Sequence, residues 1–270
     1  MSKILKGAAL VTGASSGIGA TYAQRLARRG HDLILVARDE ARLTALASRL
    51  RAEAGVEAEV LRADLTNRSD LARVEARLAS DPGIEVLINN AGFASLDGFA
   101  QSDPDLLESL INLNVTAVTR LANAAAKAFL ARGQGTIINI GSVVGLMPEF
   151  RSAVYGATKA FVLYLTQAMN EEIDGAGLRL QAVLPGATRT EIWERSGRKL
   201  ADLDPNSTMD VDDLVDAALA GLDKGELVTI PSLLDTAQWD AFQAARLQMA
   251  PNLSRAHPAR RYGVPGTVAA

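Results

Sequence analysis

Tyr155 and Lys159 stand four positions apart in Tyr-Gly-Ala-Thr-Lys, and Ser142 lies thirteen positions before the tyrosine. On a helix, residues i and i+4 share a face, so a phenol and an ammonium placed this way can act at one point. A free phenol has a pKa of about 10, too high for ready proton exchange near neutrality. A neighbouring cation favours the phenolate and brings that value down. Such a pair can give a proton to a carbonyl oxygen or take one from an alcohol. A serine hydroxyl donating to the same oxygen would stabilise the negative charge that develops there.

A second constellation lies near the N-terminus, in Thr12-Gly-Ala-Ser-Ser-Gly-Ile-Gly19. Gly13, Gly17 and Gly19, with Ser15, Ser16 and Ile18 between them, follow an apolar run and open a helical pattern. Glycines let the backbone turn tightly and approach a pyrophosphate, whose charge is favoured by the N–H groups of a helix start. The spacing differs from the Gly-x-Gly-x-x-Gly dinucleotide fingerprint.

The elements that must position these groups alternate along the chain. Apolar runs at 8–11, 33–36, 58–61, 86–88, 136–140, 180–184 and 227–230 read as strands. Helical patterns cover 18–29, 40–53, 69–79, 105–132 and 155–173, resume at Val211, and return at 235–249. This order predicts an α/β fold, a single-domain, doubly wound, Rossmann-like parallel sheet with helices on both faces. The domain is expected to span 1–250, with 187–210 as a substrate-binding loop and 251–270 as an irregular tail rich in Pro and Gly.

Composition narrows the function further. The 270 residues carry a formal net charge of -3 with no concentrated basic run, so nucleic acid is not an expected partner. With no cysteine and only His31 and His257, no metal site is expected. No apolar stretch approaches the ~18 residues of a membrane span. The opening Met1 to Val11 runs straight into the glycine loop, leaving no room for a removable leader, and a cytoplasmic protein is expected.

Together the motifs resemble the short-chain dehydrogenase/reductase family. The resemblance covers roughly Gly7 to Thr190: the glycine loop, Asp64-Leu65, Asn89-Asn90-Ala91-Gly92, Asn114-Val115, Ser142, Tyr155-x-x-x-Lys159 and Pro185-Gly186, in order. It implies hydride transfer between a nicotinamide cofactor and a carbonyl or secondary alcohol. Tyr155 would be the acid or base, Ser142 the oxyanion partner, and Lys159 the holder of the nicotinamide ribose. Asn114 would order a water linking Lys159 to solvent. Asp64 and Leu65 would lie at the adenine, Asn90 at the adenosine ribose, and Thr188 at the nicotinamide carboxamide.

Cofactor choice turns on the end of the second strand, Leu33 to Asp39. NAD-preferring relatives carry an acid where this chain has Ala37, and Arg38 follows with a guanidinium suited to a phosphate. NADP(H) is therefore the expected cofactor, with NAD(H) as a possible second. Asp39 reads as the N-cap of the next helix.

Phe93, Val143, Val144, Phe150, Ile192 and Trp193 are expected around the reacting carbon, which implies a small-molecule substrate of moderate hydrophobicity. Apolar residues 161–165 on several sides of the Tyr155 helix suggest a homodimer through the two long helices, a tetramer being the larger alternative. Two other readings share parts of the pattern: a sugar-nucleotide epimerase or dehydratase, which also uses Tyr-x-x-x-Lys, and a non-catalytic NADP-binding regulator or scaffold.

Overall fold

The computed structural model describes residues 7–264 apart from Leu96, Asp174 and Arg198. These fall into two compact units divided between Pro231 and Ser232. The first holds a seven-stranded parallel sheet: β1 (Ala8–Thr12), β2 (Leu33–Ala37), β3 (Ala58–Arg62), β4 (Ile84–Asn89), β5 (Gly135–Ile140), β6 (Leu178–Val183) and β7 (Val228–Thr229). Its helices are α1 (Gly17–Arg28), α2 (Glu40–Ala54), α3 (Arg68–Ser80), α4 (Pro104–Ile111), α5 (Val118–Arg132), α6 (Ala153–Glu172), α7 (Ile192–Arg195) and α8 (Val211–Asp223).

The strands read as continuous apolar runs because both faces of the sheet are covered. Within β1, Ala9 and Val11 join a core with α1, α2 and α8, while Ala8 and Leu10 join the opposite core with α3 and α5. β2 divides the same way, Leu33 and Leu35 to one side and Ile34 and Val36 to the other. The expected doubly wound architecture is the one found.

Strand order is β3-β2-β1-β4-β5-β6-β7. The winding direction reverses between β1 and β4, so the loops leaving these two neighbours diverge and open a crevice at their carboxyl ends, where sheets of this type take their ligands.

Three features depart from the sequence-based expectation. The helix expected to run unbroken over 105–132 consists of α4, a π-helical turn at Asn112–Ala117, and α5. Such turns occur mostly as single insertions and often at functional sites. The segment 187–210 is not featureless: it contains α7 and two 3₁₀ turns, and a parallel bridge pairs Thr188 with Met209. The boundary expected at residue 250 lies at 231/232, since α9 (Thr236–Gln248) groups with the residues that follow it.

In that second unit Asp235 caps α9, Trp239 meets Phe242 at 5.6 Å between ring centroids, and none of the helix's residues is buried. The tail expected to be irregular carries 3₁₀ turns at Ala250–Asn252 and Arg260–Tyr262. Its last part, 265–270, lies outside the described residues.

A buried polar chain ties α6 to the sheet. Asn89 Nδ2 donates to Asn139 Oδ1 at 2.9 Å, Asn139 Nδ2 donates to Thr166 Oγ1 at 2.9 Å, and Thr166 Oγ1 donates to Val162 O at 2.8 Å. Replacing Thr166 by Val keeps the shape but strands the Asn139 amide, which should cost about 1–3 kcal/mol. Urea denaturation of Thr166→Val should show a lower midpoint with an unchanged slope, and an unchanged midpoint would mean that the network contributes nothing to stability.

Candidate active site

The glycine loop is held by a small polar clamp. Thr12 ends β1 with its hydroxyl donating to Ile88 O at 3.1 Å and accepting from the backbone N–H groups of Asn90 and Ala91 at 2.9 and 3.0 Å. Asn90 Nδ2 donates back to Thr12 O at 2.9 Å and to Gly13 O at 3.4 Å. One hydroxyl thus joins the carboxyl ends of the two strands that flank the crevice.

The clamp leaves no room for side chains. Gly13 has φ +66°, and a Cβ there would lie 2.7 Å from Asn90 Nδ2. A Cβ on Gly19 would lie 2.4 Å from Gly13 O and 2.5 Å from Asn90 Nδ2. Backbone is thereby brought to the surface of the crevice at the start of α1, the arrangement that favours a pyrophosphate. Ser15, Ser16, Gly17 and Ile18 complete this turn into the helix.

Arg38 follows β2 on the exposed edge of the same crevice. Burial pushes the Asp64 carboxyl up, but hydrogen bonds from Thr66 and the charges of Arg38 and Arg62 outweigh it, and its pKa ends below the usual value. Arg38 and Asp64 therefore feel each other across the ends of β2 and β3. Leu65, next to Asp64, is buried. Asp39 caps α2 as expected, accepting from Arg42 N at 3.0 Å.

Tyr155, Lys159, Ser142 and Asn114 converge beyond the ends of β4 and β5. Lys159 is buried, donates from Nζ to Ile140 O at 2.8 Å, and holds Nζ 5.7 Å from the Tyr155 ring centroid. The Ser142 hydroxyl stands near enough to the Tyr155 phenol to lower its pKa. Ser142 also caps a 3₁₀ turn, accepting from Val144 N at 3.2 Å, and its Oγ lies 3.3 Å from Pro185 O. Two strand ends and α6 thus fix the serine against the tyrosine.

The π turn supplies the fourth member. Asn114 Oδ1 accepts from Phe93 N at 3.2 Å, while its Nδ2 donates to Phe93 O at 3.0 Å and to Thr158 Oγ1 at 3.2 Å. Thr158 in turn donates to Tyr155 O at 2.7 Å. A Cβ on Gly92 would lie 2.9 Å from Asn114 Oδ1 and 3.6 Å from Lys159 Nζ. The missing Cβ at Gly92 is what leaves room for the Asn114 carbonyl oxygen.

Residues 7–201 match the short chain dehydrogenase family. The chain belongs to that family. It is thus an oxidoreductase of this class. Among solved structures, a short-chain dehydrogenase from Sphingobium yanoikuyae in complex with NADPH is 57% identical, covering 94% of this chain and 99% of that one, with a TM-score of 0.92. The bulky-bulky ketone specific alcohol dehydrogenase from Comamonas testosteroni is 50% identical, over 96% and 99% of the two chains, with a TM-score of 0.88. An uncharacterised oxidoreductase of Staphylococcus saprophyticus is 31% identical over 82% of this chain and 93% of its own.

Thr12 and Thr158 were not singled out from sequence, and Trp193 and Asn90 make contacts beyond those expected of them. Thr12 is the hub of the loop clamp, and its one available signal was a polar residue ending an apolar strand. Thr158 is hidden inside the Tyr-x-x-x-Lys motif, yet it links Asn114 to the Tyr155 backbone. Trp193, assigned only to the pocket, donates from Nε1 to Thr188 O at 2.8 Å and so fixes the loop that carries Thr188. Asn90, expected at a ribose, has its amide N–H groups committed to the glycine loop.

Electrostatics at the centre run against one expectation. Burial raises the Tyr155 pKa above the ordinary phenol value, the Ser142 hydroxyl opposing it, so the tyrosine is a neutral phenol near pH 7. Burial pushes Lys159 down to about 8. Between that value and the 10.5 of an exposed lysine, the unfolded chain keeps a proton that the folded protein has released, so stability rises with pH across the window. Below pH 8 the buried ammonium costs roughly 3 kcal/mol. Parent protein should therefore gain stability relative to Lys159→Met between pH 8 and 10, measured by chemical denaturation. Parallel pH profiles would show that Lys159 is not desolvated.

Proposed function

We propose that this chain is an NADP(H)-dependent dehydrogenase interconverting ketones and secondary alcohols. The observation that carries the reading is the convergence of Tyr155, Ser142 and Lys159, with the lysine ammonium buried beside the Tyr155 ring and the Ser142 hydroxyl near its phenol. When bound, the nicotinamide would supply or receive the hydride. Ser142 would orient the substrate oxygen, and Tyr155, kept as a phenol by burial, would give it a proton during reduction. Lys159 would hold the nicotinamide ribose and draw the Tyr155 proton equilibrium toward release in the oxidative direction. Since the Asn114 side chain is committed to Phe93 and Thr158, this reading gives its relay water to the main chain of the π turn.

For the cofactor, the supporting features are the side-chain-free cradle at Gly13 and Gly19, the absence of an acid at Ala37, and Arg38 beside Asp64. The Sphingobium relative, 57% identical, is an NADPH complex. Thr188 would meet the carboxamide end, and 187–210 would form the substrate-binding loop.

For the substrate, the Comamonas relative's specificity for bulky-bulky ketones suggests a carbonyl with a large group on each side. The apolar rim supports this: Val143 and Val144 follow Ser142 in the turn it caps, and Met147 and Phe150 stand exposed beyond them. Assembly as a homodimer through α5 and α6 belongs to the same reading, supported by the exposed Leu130 and Tyr164 on those helices.

Tyr155→Phe removes the transferable proton and keeps the ring, so single-turnover ketone reduction should fall by about a hundredfold or more while NADPH affinity stays near parental. Near-parental turnover would remove Tyr155 as the acid. Arg38→Ala should weaken NADPH about tenfold or more, the loss of one charge-assisted phosphate contact, while leaving NADH binding little changed. Fluorescence titration with both cofactors checks this, and an unchanged preference would remove Arg38 as the discriminating residue.

A further inference from the structure

The segment after β6 reaches farther than a loop serving its own strand would need to. In the sheet, β6 lies four strands from β2, roughly 19 Å at about 4.8 Å per strand. The six residue steps from Pro185 to Glu191 can span about 20 Å when extended. The chain uses that length to pass the carboxyl ends of β5, β4 and β1. Thr190 comes down on Gly17 at the start of α1, its Cγ2 being 3.2 Å from where a Gly17 Cβ would stand. One residue later, Glu191 meets Arg42 in the first turn of α2, with Nη1 at 2.8 and 2.7 Å from the two carboxylate oxygens.

The two ends of this crossing are attached differently. At the stem, Arg189 N–H donates to Met209 O and Met209 N–H donates to Ala187 O, each at 2.9 Å. Trp193 Nε1 and the Arg189–Asp210 pair at 2.8 Å add to the stem. At the tip, the contact to α2 is an ion pair between two exposed side chains, with Asp39 at 3.4 Å as a second partner of Arg42. A firm stem and a screened, exposed tip make a segment that can swing at one end.

We infer that the Arg42–Glu191 ion pair is a latch holding the segment after β6 across the cofactor crevice, and that it sets how fast the cofactor leaves. The inference rests on the proposed seating of NADP(H) at the glycine loop. Neither residue touches the reacting groups, so both are positioning residues, and their loss should change cofactor release without changing proton transfer.

Release is measured by stopped-flow mixing of the preformed enzyme–NADPH complex with excess NADP⁺, following NADPH fluorescence, with NADH in parallel. Glu191→Gln and Arg42→Gln should each speed release of both cofactors about two- to fivefold, the range that an exposed, well-formed ion pair supports. The double variant should be no faster than either single one, because one broken partner already opens the latch. Salt at about 0.5 M should speed release from the parent by a larger factor than from the variants, which keep only the salt-sensitive phosphate contacts.

Unchanged release rates in both single variants, or additive effects in the double one, would overturn the latch. An effect confined to NADPH and to the Arg42 variant would overturn it too, making Arg42 a phosphate ligand instead. A parent protein that binds no NADPH would overturn the cofactor assignment and the latch with it.

Discussion

The Lys159 ammonium, taken out of water, sets the terms for much of the structure around it. A buried charge must be hydrogen-bonded or it neutralises. Here the carbonyl of Ile140, at the end of β5, accepts from it, and the Tyr155 ring lies beside it. Removal from water pushes its pKa down to about 8. That arrangement holds only if α6 sits at one height on the sheet, which is the task of the Asn89–Asn139–Thr166 chain below and of the Asn114–Thr158 contact beside it. Both supports are polar groups in a dry interior, where a satisfied network specifies position more sharply than apolar packing does.

A second constraint lies at the reversal of winding between β1 and β4. Parallel neighbours whose following loops diverge leave a cleft that nothing in the sheet closes. This chain lines the cleft with backbone: Thr12 binds the two strand ends together, and Asn90 presses against glycines that have no side chain to resist it. The tyrosine and lysine stand beyond the adjoining strands β4 and β5. The glycine loop and the Tyr155–Lys159 pair thus belong to one sheet, and the segment after β6 crosses from β6 to the start of α1.

Much of the fold could be read directly. Apolar runs of strand length, broken by helical patterns, state a parallel sheet covered on both faces, and β1 and β2 divide their residues between two cores as that reading requires. The π turn was not legible, because Asn112–Ala117 has the same helical periodicity as its flanks and the extra residue shows only in the hydrogen-bond ladder. Nor was the break at Pro231, since α9 has a helical pattern of its own and a pattern does not say what it packs on.

The site divides along the same line. Sequence by itself determined the family, the order of the motifs and the candidate residues Ser142, Tyr155 and Lys159, because these depend on residue type and short spacing. Tertiary structure alone decided that Ser142 stands beside Tyr155, that burial raises the phenol's pKa, and that the Asn90 amide donates to the glycine loop. It also brought Glu191 to Arg42 across 149 positions of chain. Pairings and desolvation of this kind arise from strand order and from the depth at which a helix is buried, and neither quantity is written in the spacing of residues along one chain.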